Sequence, residues 1–216
     1  MIEYEAKVLD VDEAAMRARL EALGAVLILD DITYIEGYDT IDDRHGIQCA
    51  MTSTFEQRFT PIMDEIRSLS TEADMFSQGA YLRLRREGDR HELIFKRSRP
   101  STQRVKSEVE VSEAILSTEW ADVAAWLGSM GLHRIVLQEK KRVSYSSPPY
   151  RFDIDTWPGV PTYVEVESDS PESVLSGVEM IGADPSDALA ISGAAVFDLY
   201  GITNPRRLLF SEVDNG

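Results

Sequence analysis

Thiol and imidazole side chains are almost missing from this chain. Of its 216 residues one is cysteine, Cys49, and three are histidine, His45, His91 and His133. A single thiol excludes an internal disulfide framework and a thiolate metal cluster built by this chain alone. The histidines are scattered and read as exposed loop or turn residues, and neither they nor Cys49 is assigned a function. No apolar run approaches the about 20 residues that cross a bilayer, so no membrane partner is expected. Basic side chains are a minority: 22 Lys and Arg against 38 Asp and Glu, a net charge of −16. That imbalance argues against a nucleic-acid partner. Neither GxxxxGK[ST] nor GxGxxG occurs, which removes the P-loop and dinucleotide-fold routes to a phosphate. The opening Met1-Ile2-Glu3-Tyr4-Glu5 has neither the basic nor the apolar segment of a signal peptide, so a cytoplasmic protein is expected.

What is present is charge placed at every second residue. Glu3, Glu5 and Lys7 alternate with Ile2, Tyr4, Ala6 and Val8. Arg83 and Arg85 alternate with Leu82 and Leu84. Arg104, Lys106, Glu108 and Glu110 alternate with Val105, Ser107, Val109 and Val111. Lys96 closes the apolar run Leu93-Ile94-Phe95, and Lys140 and Arg142 precede Val143. Asp153 and Asp155 bracket Ile154, and Glu165 and Glu167 alternate with Val164 and Val166. Successive side chains of a strand point to opposite faces, so each stretch reads as a strand with one charged and one apolar face. Taken singly, any of them is an ordinary strand with a solvated outer face. Taken together they hold both signs in near balance within an acidic chain. A closed sheet with the charged faces inward and helices over the apolar faces satisfies them all.

Between the strands, Asp12 is placed to cap a helix with Ala15, Met16, Leu20 and Leu23 on its apolar positions, stopped by Gly24. Residues 25–38 read as a strand with Tyr34 and Tyr38 on one face. Residues 39–79 form an insertion: a polar turn around Asp42-Asp43-Arg44-His45-Gly46, then Phe55, Phe59, Ile62, Ile66 and Leu69 at helical spacing interrupted by Pro61. The insertion reads equally as a lid or as packing on the barrel wall. Three strands are expected over 80–111, turning at Glu87-Gly88-Asp89. A helix follows over 118–130, ended by Gly131, then strands near 134–145 and 150–156 and the strand of Glu165 and Glu167. Ser170-Pro171 opens a helix striped by Val174, Leu175, Val178 and Ile181, and the tail continues in short helices. One domain over 1–216 is the simplest division, with the insertion at about 39–79 and a helical tail from about 170.

Paired carboxylates suit a hard, oxygen-seeking cation such as Mg²⁺ or Mn²⁺, and Arg and Lys in number suit a polyphosphate. Buried together, the two sets must partly neutralise each other.

The order of these residues resembles the CYTH superfamily, the triphosphate tunnel metalloenzymes, which include class IV adenylate cyclases, thiamine triphosphatases and inorganic triphosphatases. The E-x-E-x-K element is Glu3, Glu5 and Lys7, and G-x-x-L-R-x-R is Gly79, Leu82, Arg83 and Arg85. Lys96 matches the following lysine strand, and Lys106, Glu108 and Glu110 stand for R-x-E-x-E. Lys140 and Arg142 are K-x-R; Asp155, Trp157, Glu165 and Glu167 close the series. The Asp155-to-Glu165 stretch looks most like the cyclase-like branch. The resemblance implies an α+β fold, an antiparallel eight-stranded β-barrel with helices packed outside, and a small-molecule triphosphate bound with Mg²⁺ or Mn²⁺. By position it assigns metal to Glu3, Glu5, Asp155, Glu165 and Glu167, with Glu108 and Glu110 holding a second metal or orienting the basic residues. It assigns phosphate to Lys7, Arg83, Arg85, Lys96, Lys106, Lys140 and Arg142. Lys7 and Tyr34 are its candidates for activating water, with Tyr38 equally placed by alternation. Two departures stand out: Lys106 replaces the usual Arg, and residues 39–79 replace a short link. Three functions follow in order: a triphosphatase, an adenylate cyclase, and a non-catalytic polyphosphate- or nucleotide-binding module. A homodimer is compatible with each.

Overall fold

The computed structural model describes residues 2–40, 54–70 and 73–213. The expected turn at Asp42–Gly46, with His45, and Cys49 lie outside the described residues. The strands are β1 (Ile2–Val8), β2 (Val26–Thr40), β3 (Ala80–Glu87), β4 (Arg90–Arg99), β5 (Lys106–Ile115), β6 (Leu132–Ser147), β7 (Tyr150–Thr156), β8 (Tyr163–Ser168) and the short β9 (Arg207–Leu208). The helices are α1 (Glu13–Ala22), α2 (Thr54–Arg58), α3 (Thr60–Arg67), α4 (Trp120–Ser129), α5 (Pro171–Met180), α6 (Gly193–Leu199) and α7 (Phe210–Val213). The hydrogen-bonded order is β2-β3-β4-β5-β1-β8-β7-β6-β9, and β2 also pairs with β6. That last pairing closes eight strands into an antiparallel barrel, with β9 added beside β6.

Two compact units are woven from non-contiguous stretches. The first comprises Tyr34–Ser98 and Val109–Gln138, the second Ile2–Thr33, Arg99–Glu108 and Glu139–Gly216. The boundaries fall inside β2, β4, β5 and β6, so these strands continue from one unit into the other with no linker.

In the first unit, β3 turns into β4 over Gly88 and Asp89, with Glu87 opposite Arg90. Gly88 takes φ +58°, a conformation glycine adopts without steric penalty. Leu82 and Leu84 face Phe95 and Leu93 across this hairpin and are buried beneath α3 and α4, with Ile62, Met63, Ile66, Val123, Trp126 and Leu127. The insertion is thus a helix pair that supplies core, with Phe59 and Ile62 fully buried, and its described part packs as wall. Pro61 sits in the first turn of α3, where its missing N–H has no intrahelical acceptor to lose.

In the second unit, β1 runs antiparallel to β8 and β8 to β7. Ala6, Val164, Val166, Phe152, Ile154, Val143 and Tyr145 form one apolar face, covered by Val174, Val178 and Ile181 of α5 and Leu20 of α1. Ser170 caps α5, accepting from Ser173 N, with Pro171 at the start. Asp12 caps α1 through Ala15 N at 2.8 Å. Only part of the expected α1 stripe is buried: Leu20 is covered, while Ala15 and Leu23 are exposed. Of this ten-residue helix, Leu20 and the half-buried Met16 pack against the sheet's apolar cluster. His91 and His133 lie in β4 and β6, not in loops. Arg104 precedes β5 and is exposed, donating to Pro185 O, so it leaves the alternating charged set. Among the described residues no helix is long and apolar enough to cross a membrane.

The α5–sheet contact closes to backbone distance at Gly177. A Cβ there would lie 2.7 Å from Val166 Cγ1 and 3.1 Å from Tyr150 Cδ1. Gly177→Ala is therefore expected to lower the melting temperature, by about 1–3 kcal/mol of overpacking against about 1 kcal/mol of helix propensity gained. At Gly128 in α4 an added Cβ meets nothing within 4 Å, so Gly128→Ala should raise the melting temperature. Thermal unfolding of the two variants checks the pair, and a Gly177→Ala protein more stable than its parent contradicts the close-contact argument.

Candidate functional site

The strand registers decide which side chains share a face. In the second unit Glu5 stands opposite Glu167, and Lys7 opposite Glu165. Asp153 stands opposite Glu165, Arg151 opposite Glu167, and Asp155 opposite Tyr163. Arg142 stands opposite Asp155 and Ser144 opposite Asp153. All lie on the face away from α5. Directly opposed antiparallel residues are close neighbours on one face, so charges here meet by construction.

They meet as ion pairs. Lys7 Nζ lies 3.0 Å from Glu5 Oε1 and also bonds Glu165 Oε1. Lys106 Nζ lies 3.1 Å from Glu5 Oε1 and 2.7 Å from Glu108 Oε1. Arg142 clasps Asp155 through Nε (2.7 Å) and Nη2 (2.6 Å), and reaches Glu165 Oε2 at 2.9 Å. Lys140 Nζ adds 2.6 Å to Asp155 Oδ2. Arg142 Nη1 lies 2.6 Å from Asp153 Oδ2, a charge contact without hydrogen-bond geometry, and Arg151 Nε donates to Asp153 Oδ1 at 2.9 Å.

Protonation follows from these partners. Burial would lower the Lys7 ammonium, but Glu165 and then Glu5 outweigh it and hold it well above the usual lysine range. Burial would raise the Glu165 carboxyl; Lys7, Arg142 and Lys140 hold it well below the usual carboxylate range. Burial and the neighbouring Arg142 push Lys140 down to about 8, partly offset by Asp155. Burial, then Asp155 and Glu165, push the Tyr163 phenol well above its ordinary value, so it keeps its proton.

Glu5, Glu165 and Glu167 can each offer an oxygen with all three oxygens within 4.8 Å of one another. Three carboxylates and no sulfur or nitrogen donor fit a hard divalent cation such as Mg²⁺ or Mn²⁺. Glu3 is half-buried on the same face of β1 and falls outside this trio. Asp155 also falls outside it, with both oxygens engaged by Lys140 and Arg142.

In the first unit Arg83 and Arg85 share a face with Ile94 and Glu92, and Lys96 stands opposite Tyr81 on it. Lys96 Nζ lies 2.7 Å from Glu110 Oε2, and Arg85 Nη2 lies 2.9 Å from Glu92 Oε2. Burial would raise the Glu110 carboxyl, but Lys96 and then Arg83 outweigh it and bring it down to about 2. Glu108 and Glu110 thus each orient a lysine.

Tyr34 lies elsewhere. It stands opposite Arg86, and Tyr38 opposite Leu82, while Ile35 and Gly37 stand opposite Arg85 and Arg83. Both tyrosines are therefore on the apolar, helix-covered face: Tyr38 packs in the core and Tyr34 lies 6.0 Å from the Trp120 ring. Their hydroxyls meet on Glu36, with Tyr38 at 2.6 Å and Tyr34 at 3.2 Å, and Arg134 completes the group at 2.8 Å. The assignment of Tyr34 to water activation is corrected on this geometry; alternation placed it correctly beside Tyr38 but could not say which face was charged. Lys7 is held as an ammonium by Glu165 and Glu5.

Sequence reasoning placed Asp153 in the charged set without giving it a role, and passed over Arg151, Glu92 and Tyr163. The alternation Arg151-x-Asp153-x-Asp155 and the spacing of Tyr163 two residues before Glu165 were the available signals.

No family model and no curated protein matches this chain. Solved structures do. A candidate adenylate cyclase from Vibrio parahaemolyticus is 14% identical, covering 92% of this chain and 98% of that one, with a TM-score of 0.65. The PH1012 protein of Pyrococcus horikoshii is 12% identical, covering 90% and 98%, with a TM-score of 0.60. HpAC1 from Hippeastrum, a candidate adenylyl cyclase reported with a dominant triphosphatase activity, is 16% identical, covering 91% and 95%, with a TM-score of 0.57. At these identities the likeness is one of fold, and it extends over nearly the whole of each chain.

The Glu110 shift has a measurable consequence. Its folded value lies below the unfolded one, so its stabilisation is present above about pH 4.5 and lost as pH falls toward 2. Glu110→Gln should be less stable than the parent at neutral pH by up to about 3 kcal/mol, and the gap should close on acidification through that window. Urea unfolding of both proteins at a series of pH values measures it; a gap that does not change with pH disproves the ion-pair origin.

Proposed function

We propose that this chain is a divalent-metal-dependent enzyme acting on small molecules that carry a triphosphate chain, and that it hydrolyses the terminal phosphate. The observation that carries the reading is the trio Glu5, Glu165 and Glu167, bordered on its own sheet face by Lys7, Lys106, Lys140 and Arg142. Bound Mg²⁺ or Mn²⁺ would supply positive charge to the phosphate oxygens there. Glu5, Glu165 and Glu167 would hold the cation, and Lys7 and Lys106, which pair with Glu5, would offer their charge to phosphate oxygens. Arg142 offers its planar fork, and Lys140 a point charge. Arg83, Arg85 and Lys96 are proposed as further phosphate ligands. Lys106, a lysine where the resembling family has arginine, keeps charge without the fork.

The second reading is cyclisation of ATP to cyclic AMP and pyrophosphate. The fold likeness to candidate cyclases supports it, and the dominant triphosphatase activity stated for HpAC1 supports hydrolysis first. Hydrolysis needs only the terminal phosphate and water in place, whereas cyclisation must also seat ribose and base so that the 3′-hydroxyl reaches the α-phosphorus. Incubation with inorganic triphosphate, thiamine triphosphate and ATP, each with Mg²⁺ or Mn²⁺, followed by product identification, decides between them. Orthophosphate released faster from inorganic triphosphate than cyclic AMP forms from ATP is expected. Cyclic AMP and pyrophosphate as main products, with inorganic triphosphate inert, would falsify the ranking.

The metal assignment is tested separately. Glu5→Gln and Glu167→Gln remove charge at nearly constant volume. Each should abolish the rise in melting temperature that Mn²⁺ gives the parent through binding the native state, and should reduce turnover at least about a hundredfold. A parent whose melting temperature ignores both cations, with and without triphosphate, rejects the assignment.

A further inference from the structure

We propose that Tyr163 is a substrate-touching hydrogen-bond donor of this site, aimed at a phosphate oxygen, and that Trp157 is its positioning residue. The proposal rests on the triphosphate reading above. Tyr163 opens β8 opposite Asp155 and two residues before Glu165, so its ring stands on the charged face, 2% exposed. Among the described residues its hydroxyl makes one hydrogen bond, accepting from Trp157 Nε1 at 2.8 Å. A phenol also carries a proton to donate, and no group among the described residues takes it. The carboxylates beside it have other partners: Asp155 holds Lys140 and Arg142, and Glu165 holds Lys7 and Arg142. A buried donor left without an acceptor, inside a set of cations built for an anion, calls for an oxygen from a ligand.

Trp157 is fixed on two further sides. The Lys140 ammonium lies 5.2 Å from its ring centroid, and Phe197 of α6 meets it edge-on at 5.1 Å. The indole N–H can only donate, so it obliges the Tyr163 oxygen to accept and turns the phenol proton away from the indole. The other tyrosine hydroxyls of this unit with a partner are committed elsewhere, Tyr145 to Glu21 and Tyr200 to Asp10.

Tyr163→Phe removes the hydroxyl and nothing else. By calorimetry in Mn²⁺, on protein whose turnover is blocked by cold and short exposure, its affinity for inorganic triphosphate should fall about tenfold, the loss of one hydrogen bond to a charged acceptor. Its melting temperature without ligand should fall modestly, because the Trp157 N–H loses its buried acceptor, and a hydroxyl with a merely structural role would show that fall with triphosphate affinity unchanged. Trp157→Phe keeps an aromatic side chain but loses the indole N–H and part of its ring area, and should weaken triphosphate binding to a similar degree. The double variant should be no weaker than the worse single one, because the two act through one hydrogen bond. Parent-like triphosphate affinity in Tyr163→Phe overturns the proposal while leaving the triphosphate reading intact. A parent that does not bind triphosphate overturns both.

Discussion

An ion taken from water into a protein must find its opposite within a few ångströms, and here that requirement falls on a whole sheet face at once. Lys7 is held between Glu5 and Glu165, Arg142 between Asp155, Asp153 and Glu165, and Lys106 between Glu5 and Glu108. Each of these ions serves more than one partner, so none can be removed alone. Breaking one member of a buried pair typically costs about 3–5 kcal/mol, because its partner is left charged and dry. The apolar faces can be packed beneath helices only because the opposite faces are neutralised in this way.

The same sharing makes the face responsive to a ligand that carries both signs. A cation with a polyphosphate offers positive charge to the carboxylates and negative charge to the amines, so every internal pair that opens has a replacement. A ligand of one sign alone would leave half of the opened pairs uncompensated. Under the proposed function, selectivity for the metal complex over the bare anion would then need no separate recognition element.

Much of this could be read from the order of residues because strand alternation is a steric rule of period two. It separates Glu5 and Lys7 from Ala6, or Arg83 and Arg85 from Leu82 and Leu84, without knowledge of any partner strand. The caps at Asp12 and Ser170 and the turn at Gly88 were equally local. What alternation could not supply was the sense of a strand lacking charge of one kind. Tyr34, Glu36 and Tyr38 share a face, but only pairing with Leu82 and Leu84 shows that it is the core face. A buried glutamate satisfied by two phenols and Arg134 looks, in sequence, like a site residue. Tyr163 fails in the other direction: an aromatic residue leading an alternating strand reads as core until its neighbour across the sheet is seen to be Asp155.

The two-residue period of β5 carries a further consequence. Lys106, Glu108 and Glu110 occupy alternate positions, with Val105 and Ile115 buried on the core side. A slip of one residue against either neighbour would drive three ionised groups under the helices and lift the valines onto the charged face, a penalty far larger than the few hydrogen bonds at stake. Charge therefore acts as a ratchet on pairing: the strands can mate in steps of two or not at all. Single-residue insertions and deletions are accordingly barred from the strands and confined to the links between them.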